Sequence, residues 1–306
     1  MFNNKSDYVL NLNFGDILAK TLLILLFLLF TACSSKPQKQ IIISTNQWIG
    51  YTPLFYAYET GELDALNIKI VTSVSLAEAG DLYSIGKADM VTTTQHEFNV
   101  LKKTTHDIKA VILIDRSNGG DMILSNRTLR ALKKSKKIDA YLEVDSINQE
   151  ILLDFLKKNA ISKDKINFIN KDQRQIQDVK NDPDKAILIA TYTPYEIPLK
   201  QKNFKEIAST KDINSIIVID ALCARDTLVE HERQRLIQLK KVIDKAIEII
   251  EKNPEASYKI ISKYFSHVSY KEYRHSLSLI KWINKPSEEL LEYIQQYGYK
   301  KDDIIL

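Results

Sequence analysis

The sequence contains little cysteine and little glycine. It has 2 Cys and 8 Gly among 306 residues. Cys33 ends an apolar segment that resembles an export signal, so processing at that point would leave Cys223 as the only unmodified thiol. A single thiol excludes an internal disulfide, and the fold must then be stabilised by a hydrophobic core. Residues 33–306 are long enough for one large domain or two lobes.

Sequence motifs of the common enzyme classes are absent. The chain has no GxSxG, no HExxH, no CxxC, no P-loop and no GxGxxG. Its histidines do not stand at metal-ligand spacing, so we expect neither a bound metal nor a cofactor, and no catalytic residues. Cys223 follows an apolar strand, which favours a buried, inert thiol over a reactive one.

Charge of one sign does not dominate. The sequence has 43 Lys and Arg against 39 Asp and Glu, a formal net charge of +4. Such a mixture is typical of a solvated surface, and the chain has no basic stripe interleaved with aromatic residues. This composition argues against a nucleic-acid partner. The densest basic run, at 133–137, is typical of a solvated loop.

A short apolar run near the N-terminus indicates export. Residues 21–33 read TLLILLFLLFTAC, in which ten apolar-rich residues precede Thr31, Ala32 and Cys33. A membrane helix needs about 20 apolar residues, so the run is too short to span a bilayer comfortably. The small residues before Cys33 are typical of a bacterial lipoprotein signal, which predicts a signal peptide at 1–32 and a polar tether at 33–40. The alternative is an uncleaved anchor with an incidental cysteine.

Lipidation of Cys33 would place the protein outside the cytoplasm. Two or more acyl chains anchor a protein stably, because each buried CH₂ contributes about 0.8 kcal/mol. We therefore expect a chain held by lipid on the extracytoplasmic side of a bacterial membrane, at the periplasmic side or the cell surface. Which membrane carries the lipid stays open.

The remaining chain alternates strands and helices. Apolar, β-branched runs predict strands at 41–44, 68–74, 89–93, 108–114, 140–144, 166–169, 186–190 and 216–220. Helical spacing predicts helices at 53–60, 76–85, 97–103, 147–158 and 176–180. After Val229 the pattern is nearly all helical, with later helices at 255–264, 270–283 and 287–296. This alternation indicates an α/β fold of βαβ units with largely parallel sheets.

Polar and aromatic residues follow several of the predicted strands. Ligands bind at the carboxyl ends of strands in parallel α/β sheets, so these positions are candidates for a ligand cleft. An alternative is that each residue only caps a helix or closes a turn. The candidate ligand-binding residues are Asn46, Trp48, Tyr51, Thr94, Glu97, Asp115, Ser117, Gly119, Asp121, Asp145, Ser146, Tyr192, Tyr195 and Asp220.

The order of these motifs resembles a known family. The segments at 44–63, 86–97, 115–124, 186–196, 216–225 and 253–261 are similar to those of solute-binding lipoproteins of ABC importers in the nitrate, sulfonate and taurine group, which includes proteins similar to thiamine-pyrimidine binders. One departure is 137–146 (KIDAYLEVDS), where Asp139 and Asp145 stand in place of the family's usual glycines.

That resemblance implies a type II periplasmic-binding fold, with two α/β lobes, two crossover strands and a helical C-terminal region. Lobe one would comprise 41–121 and 220–306, and lobe two 126–212. The hinge crossings would lie near 121–126 and 213–220. The resemblance further implies a monomer that closes on a small solute and is then recognised by an ABC permease and its ATPase, without making or breaking a bond.

The acidic candidates bear on the ligand. Glu97, Asp115, Asp121 and Asp220 all lie near the predicted cleft, and strand alternation should point Arg116 and Arg225 away from it. Carboxylates buried beside an anion are costly. These residues favour a donor-bearing or zwitterionic solute, taurine-like or aminopyrimidine-like, over a bare oxyanion.

Three other functions are alternatives to solute capture for an importer. A sensory lipoprotein that reports its ligand to a membrane kinase or cyclase would have an identical cleft. An enzyme on this fold would need a nucleophile or a metal. A structural, adhesin-like lipoprotein would not need so many polar residues at strand ends.

Overall fold

The computed structural model describes residues 38–212, 216–265 and 267–306. The predicted signal peptide, most of the predicted tether and Cys33 lie outside these residues. Residues 40–306 form a compact unit with two mixed β-sheets, of six and five strands. Helices cover the sheets, so the unit consists of two α/β lobes.

The first sheet has the strand order β11-β4-β10-β3-β1-β2. β1 runs parallel to β2 and β3, whereas β10 is antiparallel to β3 and β4, and β11 is antiparallel to β4. Its strands are β1 (Ile41–Thr45), β2 (Ile68–Thr72), β3 (Met90–Thr94), β4 (Ile108–Ser117), β10 (Ile219–Arg225) and β11 (Ile280–Trp282).

The second sheet has the order β7-β6-β8-β5-β9. β6 runs parallel to β7 and β8, and β5 is antiparallel to β8 and β9. Its strands are β5 (Asp121–Ser125), β6 (Ile138–Leu142), β7 (Ile166–Asn170), β8 (Ile187–Tyr192) and β9 (Lys205–Ser209).

The helices lie between and after these strands. They are α1 (Thr52–Glu59), α2 (Leu76–Ser84), α3 (Gln95–Thr105), α4 (Leu129–Lys134), α5 (Ile147–Lys158), α6 (Gln173–Ile176), α7 (Glu196–Gln201), α8 (Asp226–Lys252), α9 (Pro254–Ile261), α10 (Tyr270–Leu277) and α11 (Glu288–Tyr293). The 27-residue α8 contains one non-helical residue, Glu232, and packs on α1.

Hydroxyl side chains fix where several helices begin. Ser75, Thr94 and Ser146 each accept a hydrogen bond from a backbone N–H in the first turn of α2, α3 and α5. Such caps satisfy donors that have no partner within the helix. Ser269 and Glu272 form a reciprocal capping box at α10. The cleft-facing helices α2, α3 and α5 therefore start at defined points beside the strand ends.

Each sheet carries apolar clusters built mainly from its own lobe, although Tyr192 at the end of β8 joins the cluster of the first lobe. One large cluster joins β1 with α1 and α8 through residues such as Ile43, Phe55 and Leu239, and a second lies around Phe98 and Tyr299. The second sheet has two smaller clusters. The two lobes thus have largely separate cores, and polar groups occupy much of the space between them.

The expectation of largely parallel sheets was wrong. Three of the five strand pairs in the first sheet are antiparallel. The reason is the path of the chain, which leaves this sheet after β4, builds the second sheet and returns through β10. The returning strand enters between β3 and β4, and it runs opposite to both.

Two passages connect the sheets, one from β4 to β5 and one from β9 to β10. Residues 213–215 of the second passage, which belong to the crossing predicted at 213–220, lie outside the described residues. The first spans residues 118–120, just before the predicted crossing, because Asp121 already begins β5. The Ser117 and Thr210 hydroxyls lie 2.7 Å apart, and the Gly119 N–H donates to Thr210 Oγ1 at 2.9 Å. Gly119 has φ +106°, a conformation that glycine adopts readily.

Several elements end or begin elsewhere than expected. The strand predicted at 216–220 is β10, Ile219–Arg225, which pairs along β3 and β4. The short helix expected at 176–180 is α6, which starts earlier because Asp172 caps it. The helix expected over 270–283 ends at Leu277 because Ile280–Trp282 pairs with β4.

No helix in the described ranges combines the length and the apolar content needed to cross a bilayer.

Candidate functional site

A cavity of about 220 Å³ lies between the two lobes. It is bounded on one side by residues after β1, at the start of α2 and on α3, and on the other by residues after β6, β7 and β8 and at the start of α5. Its lining consists of Asn46, Ser75, Leu76, Ala77, Glu97, Glu143, Val144, Ser146, Ile147, Asn148, Asn170, Asp172 and Tyr192. Carboxyl ends of parallel strands thus supply much of the wall, as the strand-end rule predicts.

Direct contacts between the lobes surround this cavity. Asn46 Nδ2 donates to the Tyr192 hydroxyl at 3.1 Å. The Ile147 N–H donates to Glu97 Oε1 at 3.2 Å. Beside them, His96 Nδ1 lies 2.7 Å from Glu150 Oε1. The lobes are therefore held together at the cavity by hydrogen bonds between polar side chains and backbone.

Glu97 is fixed at both of its oxygens. It lies in the first turn of α3, where the Thr94 hydroxyl donates to Oε2. Oε1 reaches the other lobe and accepts the N–H of Ile147, the first residue of α5. Only 7% of Glu97 is exposed. A carboxylate is stabilised at a helix N-terminus, because the free N–H groups and the helix dipole both favour negative charge.

A buried amide network shapes the second-lobe wall. Gln173, at the start of α6, is fully buried. Its Nε2 donates to Asn148 Oδ1 at 2.7 Å and to Glu143 Oε2 at 3.4 Å. Its Oε1 accepts a hydrogen bond from the Thr191 hydroxyl at 2.8 Å. Gln173 therefore orients Asn148 and Glu143 toward the cavity without lining it.

Two buried acceptors in the wall have no protein partner within the described residues. They are Asn46 Oδ1 and Glu143 Oε1. Burial raises the pKa of the Glu143 carboxyl to about 8; the Gln173 hydrogen bond opposes this, and the charges of Glu97 and Asp172 reinforce it. Unsatisfied buried acceptors are costly, so a ligand that donates to them is favoured.

A second acidic group lies behind the cavity. Trp48 Nε1 stands 3.2 Å from both oxygens of Asp115, and the Tyr51 hydroxyl donates to Asp220 at 2.5 Å. Asp115 and Asp220 are directly opposite each other on β4 and β10. All four residues are buried. Trp48 and Tyr51 thus serve here as donors to interior carboxyls.

Burial shifts the pKa values of these acids upward. It raises the pKa of Asp115 to about 8, opposed by the Trp48 hydrogen bond and reinforced by Asp121. It raises the pKa of Asp121 to about 7, where the Ser117 hydrogen bond lowers it and Glu97 raises it. The pKa of Asp220 is raised well above its usual value by burial and by Asp115. Uncharged forms are favoured because burial penalises ionised groups.

Small residues make room for Trp48. A methyl group at Gly50 would lie 2.1 Å from Asp115 Oδ2 and 2.4 Å from Trp48 Nε1. One at Gly120 would lie 2.6 Å from Trp48 Cη2. The indole also meets the Tyr192 ring edge-to-face, with centroids 5.5 Å apart. The position of Trp48 therefore depends on both glycines.

The structure brings four of the sequence-predicted residues together at the cavity, namely Asn46, Glu97, Ser146 and Tyr192. Thr94 supports Glu97, and Ser117 and Gly119 bond to Thr210 at the passages. Tyr195 lines a neighbouring groove of about 310 Å³ with Gln47 and Arg174. Asp145 is exposed with φ +54°. Trp48, Tyr51, Asp115, Asp121 and Asp220 lie in the interior behind the cavity.

Sequence reasoning missed five polar lining residues, which are Ser75, Glu143, Asn148, Asn170 and Asp172. Glu143 follows β6 directly, and Asn170 and Asp172 stand at and after the end of β7. Glu143 was missed because the strand predicted at 140–144 is β6, Ile138–Leu142, so this residue fell inside the predicted strand. The strand-end rule applied after the strands predicted at 68–74 and 166–169 would have found Ser75, Asn170 and Asp172. Asn148 carries no such signal, because its position depends on the packing of α5.

Basic side chains are absent from the described lining of the cavity. Arg225 is engaged with Asp107 at 3.1 Å and with the Tyr83 carbonyl. Arg116 lines a separate groove with Lys281 and Lys285. Within the described ranges, no group of three or more His, Cys, Asp or Glu side chains could hold a metal ion.

A family model matches most of this chain. The model described as NMT1/THI5-like matches residues 48–257. No curated protein sequence matches the chain.

Several solved structures share the fold. The aliphatic sulphonate binding protein SsuA from Escherichia coli is 15% identical, with a TM-score of 0.68 over 85% of this chain and 90% of that one. A ligand-binding component of an ABC-type import system from Staphylococcus aureus, solved with zinc, is 15% identical, with a TM-score of 0.67 over 88% and 97%.

The nitrate-binding protein NrtA from Synechocystis PCC 6803 is 13% identical, with a TM-score of 0.62 over 81% of this chain and 72% of that one. At these identities the likeness establishes the fold. The predicted periplasmic-binding fold of two α/β lobes is confirmed.

Proposed function

Because the chain belongs to the NMT1/THI5-like family, we propose that it is the solute-binding component of an ABC-type import system. The observation that carries this proposal is the polar cavity between two lobes with largely separate cores. Contacts between polar groups close that cavity, and such contacts can break and re-form without unfolding either core. Lobe closure around a ligand is the transition this architecture permits.

The protein's part in transport is capture, not chemistry. The buried acids, Tyr51 and Trp48 hold one another in the interior, and the thiol of Cys223 is buried against the Thr93 hydroxyl. Burial raises the pKa of Cys223 to about 12, opposed by that hydrogen bond, so the nucleophilic thiolate is disfavoured. A cavity with fixed polar walls suits binding of a small solute.

The relatives' described functions support the same role. Structures of the same fold are described as binding proteins for sulphonates and for nitrate, and as a ligand-binding component of ABC import. We extend to this chain the shared role of solute capture. The partners that follow are a small solute, a membrane permease and its ATPase, with the binding protein acting as a monomer.

We further propose that lipid on Cys33 holds the protein on the extracytoplasmic side of a bacterial membrane. The support is the sequence at 21–33 together with the extracytoplasmic role of capture. Substitution Cys33→Ser should remove incorporation of labelled fatty acid and release the protein from the membrane fraction. Retention of the label in the Ser variant would contradict lipidation at this residue.

Transport can be tested without knowing the solute. Cells that lack the gene should leave one or more small solutes in the medium that wild-type cells deplete, as measured by untargeted mass spectrometry. The wild-type gene should restore depletion. Ala77→Trp should not, because Ala77 is exposed at the cavity wall and an indole there would fill the space.

A matched control is Ala256→Trp, an exposed alanine on α9 that does not line the cavity. It should restore depletion as the wild type does. Equal depletion by cells with and without the gene would contradict a role in import.

A further inference from the structure

The walls of the cavity carry carboxyl groups and no basic side chain among the described lining residues. Glu97, Glu143 and Asp172 line it, and Asp121 lies buried behind it, with no partner for Oδ2 among the described residues. Among the described lining residues none is Lys, Arg or His. An anion placed here would meet carboxylates without a compensating cation, an arrangement that is costly away from water.

The unsatisfied groups in the wall are acceptors. Asn46 is 2% exposed, its amide nitrogen is used by Tyr192, and its Oδ1 has no partner among the described residues. Glu143 Oε1 is also buried and has no hydrogen-bond partner among the described residues. Both residues line the same cavity. A solute that satisfies them must present at least two hydrogen-bond donors.

The one feature of the cavity that would attract an anion is already occupied. Helix N-termini bind anions through their free N–H groups, and α5 points its N-terminus at the cavity. There the N–H of Ile147 donates to Glu97 Oε1, and that of Asn148 donates to the Ser146 hydroxyl. The chain supplies its own carboxylate at the position where an anionic ligand would bind.

The volume of the cavity and its aromatic lining residue limit the kinds of ligand that fit. About 220 Å³ is below the range of roughly 300–1,000 Å³ usual for drug-sized ligands, so the solute must be small. Tyr192 is the aromatic residue of the wall, and a ring next to carboxylates suits a cation bearing N–H donors. The carboxyl lining, the unpartnered acceptors, the occupied helix N-terminus and the small cavity with its aromatic ring all favour a small ligand that carries N–H donors.

We propose that the cavity binds a small nitrogen cation, an amine or a guanidinium-type group, whose N–H donors reach Asn46 Oδ1 and Glu143 Oε1 while Glu97 neutralises the α5 N-terminus. This inference rests on the proposed role in solute capture and specifies its charge class. It separates this chain from relatives described as binding sulphonates or nitrate.

The test is a thermal-shift screen followed by calorimetry on the purified protein. The cationic probes are putrescine, agmatine and aminoguanidine, and the anionic probes are methanesulfonate, nitrate and bicarbonate, each at 10 mM. At least one cation should raise Tm by several degrees with 1:1 stoichiometry, because binding to the folded state alone stabilises it. The anions should leave Tm unchanged.

Two variants connect that binding to the cavity. Glu143→Gln keeps the size of the side chain but cannot ionise beside a cation, and it should weaken binding of the cation about tenfold or more. Asp172→Asn should weaken it severalfold while preserving the cap that this residue provides to α6. The control Glu206→Gln, at an exposed position on β9 of the same lobe, should bind as the wild type does.

Three results would overturn the inference. They are a Tm shift with an anion and none with a cation, no shift with any cation, and cation binding that Glu143→Gln and Asp172→Asn leave unchanged. An anion hit removes the charge assignment but keeps solute capture intact. Loss of solute depletion is measured separately in cells, so failure of the proposed function is recognised independently.

Discussion

Glu97 on α3 accepts a hydrogen bond from the backbone N–H of Ile147, the first residue of α5, at 3.2 Å, and so joins the two lobes at the cavity. The donor belongs to a helix terminus and the acceptor is a carboxylate. Such a charge-assisted bond contributes about 1.5–3 kcal/mol. This contact should therefore govern how often the empty lobes separate.

Glu97→Ala should expose the Ile147 amide. Hydrogen exchange at that N–H should become at least tenfold faster, because the acceptor is gone and the lobes part more often. The Ala131 amide, which donates to its cap Thr128 at the start of α4, serves as the internal control and should not change. Unaltered exchange at Ile147 would show that the bond does not hold the lobes.

The His96–Glu150 contact should make closure depend on pH. The hydrogen bond to Glu150 raises the pKa of His96, burial opposes the rise, and Glu97 adds to it. A raised pKa means that the stabilisation is fully present below the ordinary histidine value near 6.5 and is lost as pH rises through the raised value. Because the Glu150 side chain is 46% exposed, the effect should stay below about 1 kcal/mol.

An NMR titration of the His96 ring provides the measurement. The His96 pKa should fall in Glu150→Gln relative to the wild type. Glu255→Gln, at an exposed helical position on α9, is the matched control and should leave it unchanged. An equal pKa in Glu150→Gln and wild type would contradict the contact.

The buried acids should make the fold more stable at pH 5 than at pH 8. Burial raises the pKa values of Asp115, Asp121 and Glu143 to about 8, 7 and 8. The native state then holds more protons than the unfolded state between about pH 4 and 8, so the free energy of unfolding falls as pH rises through that window. Urea unfolding at the two pH values measures the difference.

Asp121→Asn should flatten this dependence. The amide keeps the shape of the side chain but does not titrate, so the stability lost between pH 5 and 8 should shrink by about 1–3 kcal/mol. Asp184→Asn, at an exposed loop position of the same lobe, should keep the wild-type slope. A wild-type slope in Asp121→Asn would show that this carboxyl does not titrate in the window.

Gly50→Ala should destabilise the protein through Trp48. Its methyl group would lie within 2.1–2.4 Å of Asp115 and of the indole nitrogen, so the Trp48–Asp115 bond must shift. Overpacking of this kind costs about 1–3 kcal/mol. Thermal unfolding should show a lower Tm, and tryptophan fluorescence should change.

Gly80→Ala is the comparison for that substitution. Gly80 lies inside α2, and an added methyl would lie 3.3 Å from the end of the Leu101 side chain, which can rotate. Alanine also favours a helix over glycine by about 1 kcal/mol. The Tm of this variant should change much less. A similar decrease of Tm in both variants would show that close packing around Trp48 is not the cause of the destabilisation.

Much of the local structure could be predicted from the chain. The β-branched run at β1 and the helical spacing at α2 and α5 predict elements whose bounds nearly match the structure. Strand β11 shows the limit, because Ile280–Trp282 continues a helical pattern and becomes a strand only by pairing with β4. Local propensity cannot reveal a partner that is 160 or more residues distant in the sequence.

At the candidate site, too, the sequence predicted some of the lining residues, and tertiary packing decided the rest. Polar residues after strands identified Asn46, Glu97 and Tyr192 as cleft candidates, and all three line the cavity. Trp48 and Tyr51 follow the same rule but point into the interior, where Asp115 and Asp220 accept their hydrogen bonds. Side-chain direction after a strand depends on what the next element packs against, which the rule does not contain.

The sequence alone determined the α/β class, the family resemblance, the export-type segment at 21–33 and the acidic character of the strand ends, because each depends on residue type and spacing. Only the tertiary structure decided which acids face the cavity and which face one another. That choice depends on how two separately packed lobes meet. Where α3 meets α5, the Glu97 carboxylate accepts a hydrogen bond from the N-terminus of α5. In the same arrangement Asn46 Oδ1 and Glu143 Oε1 have no hydrogen-bond donor among the described residues.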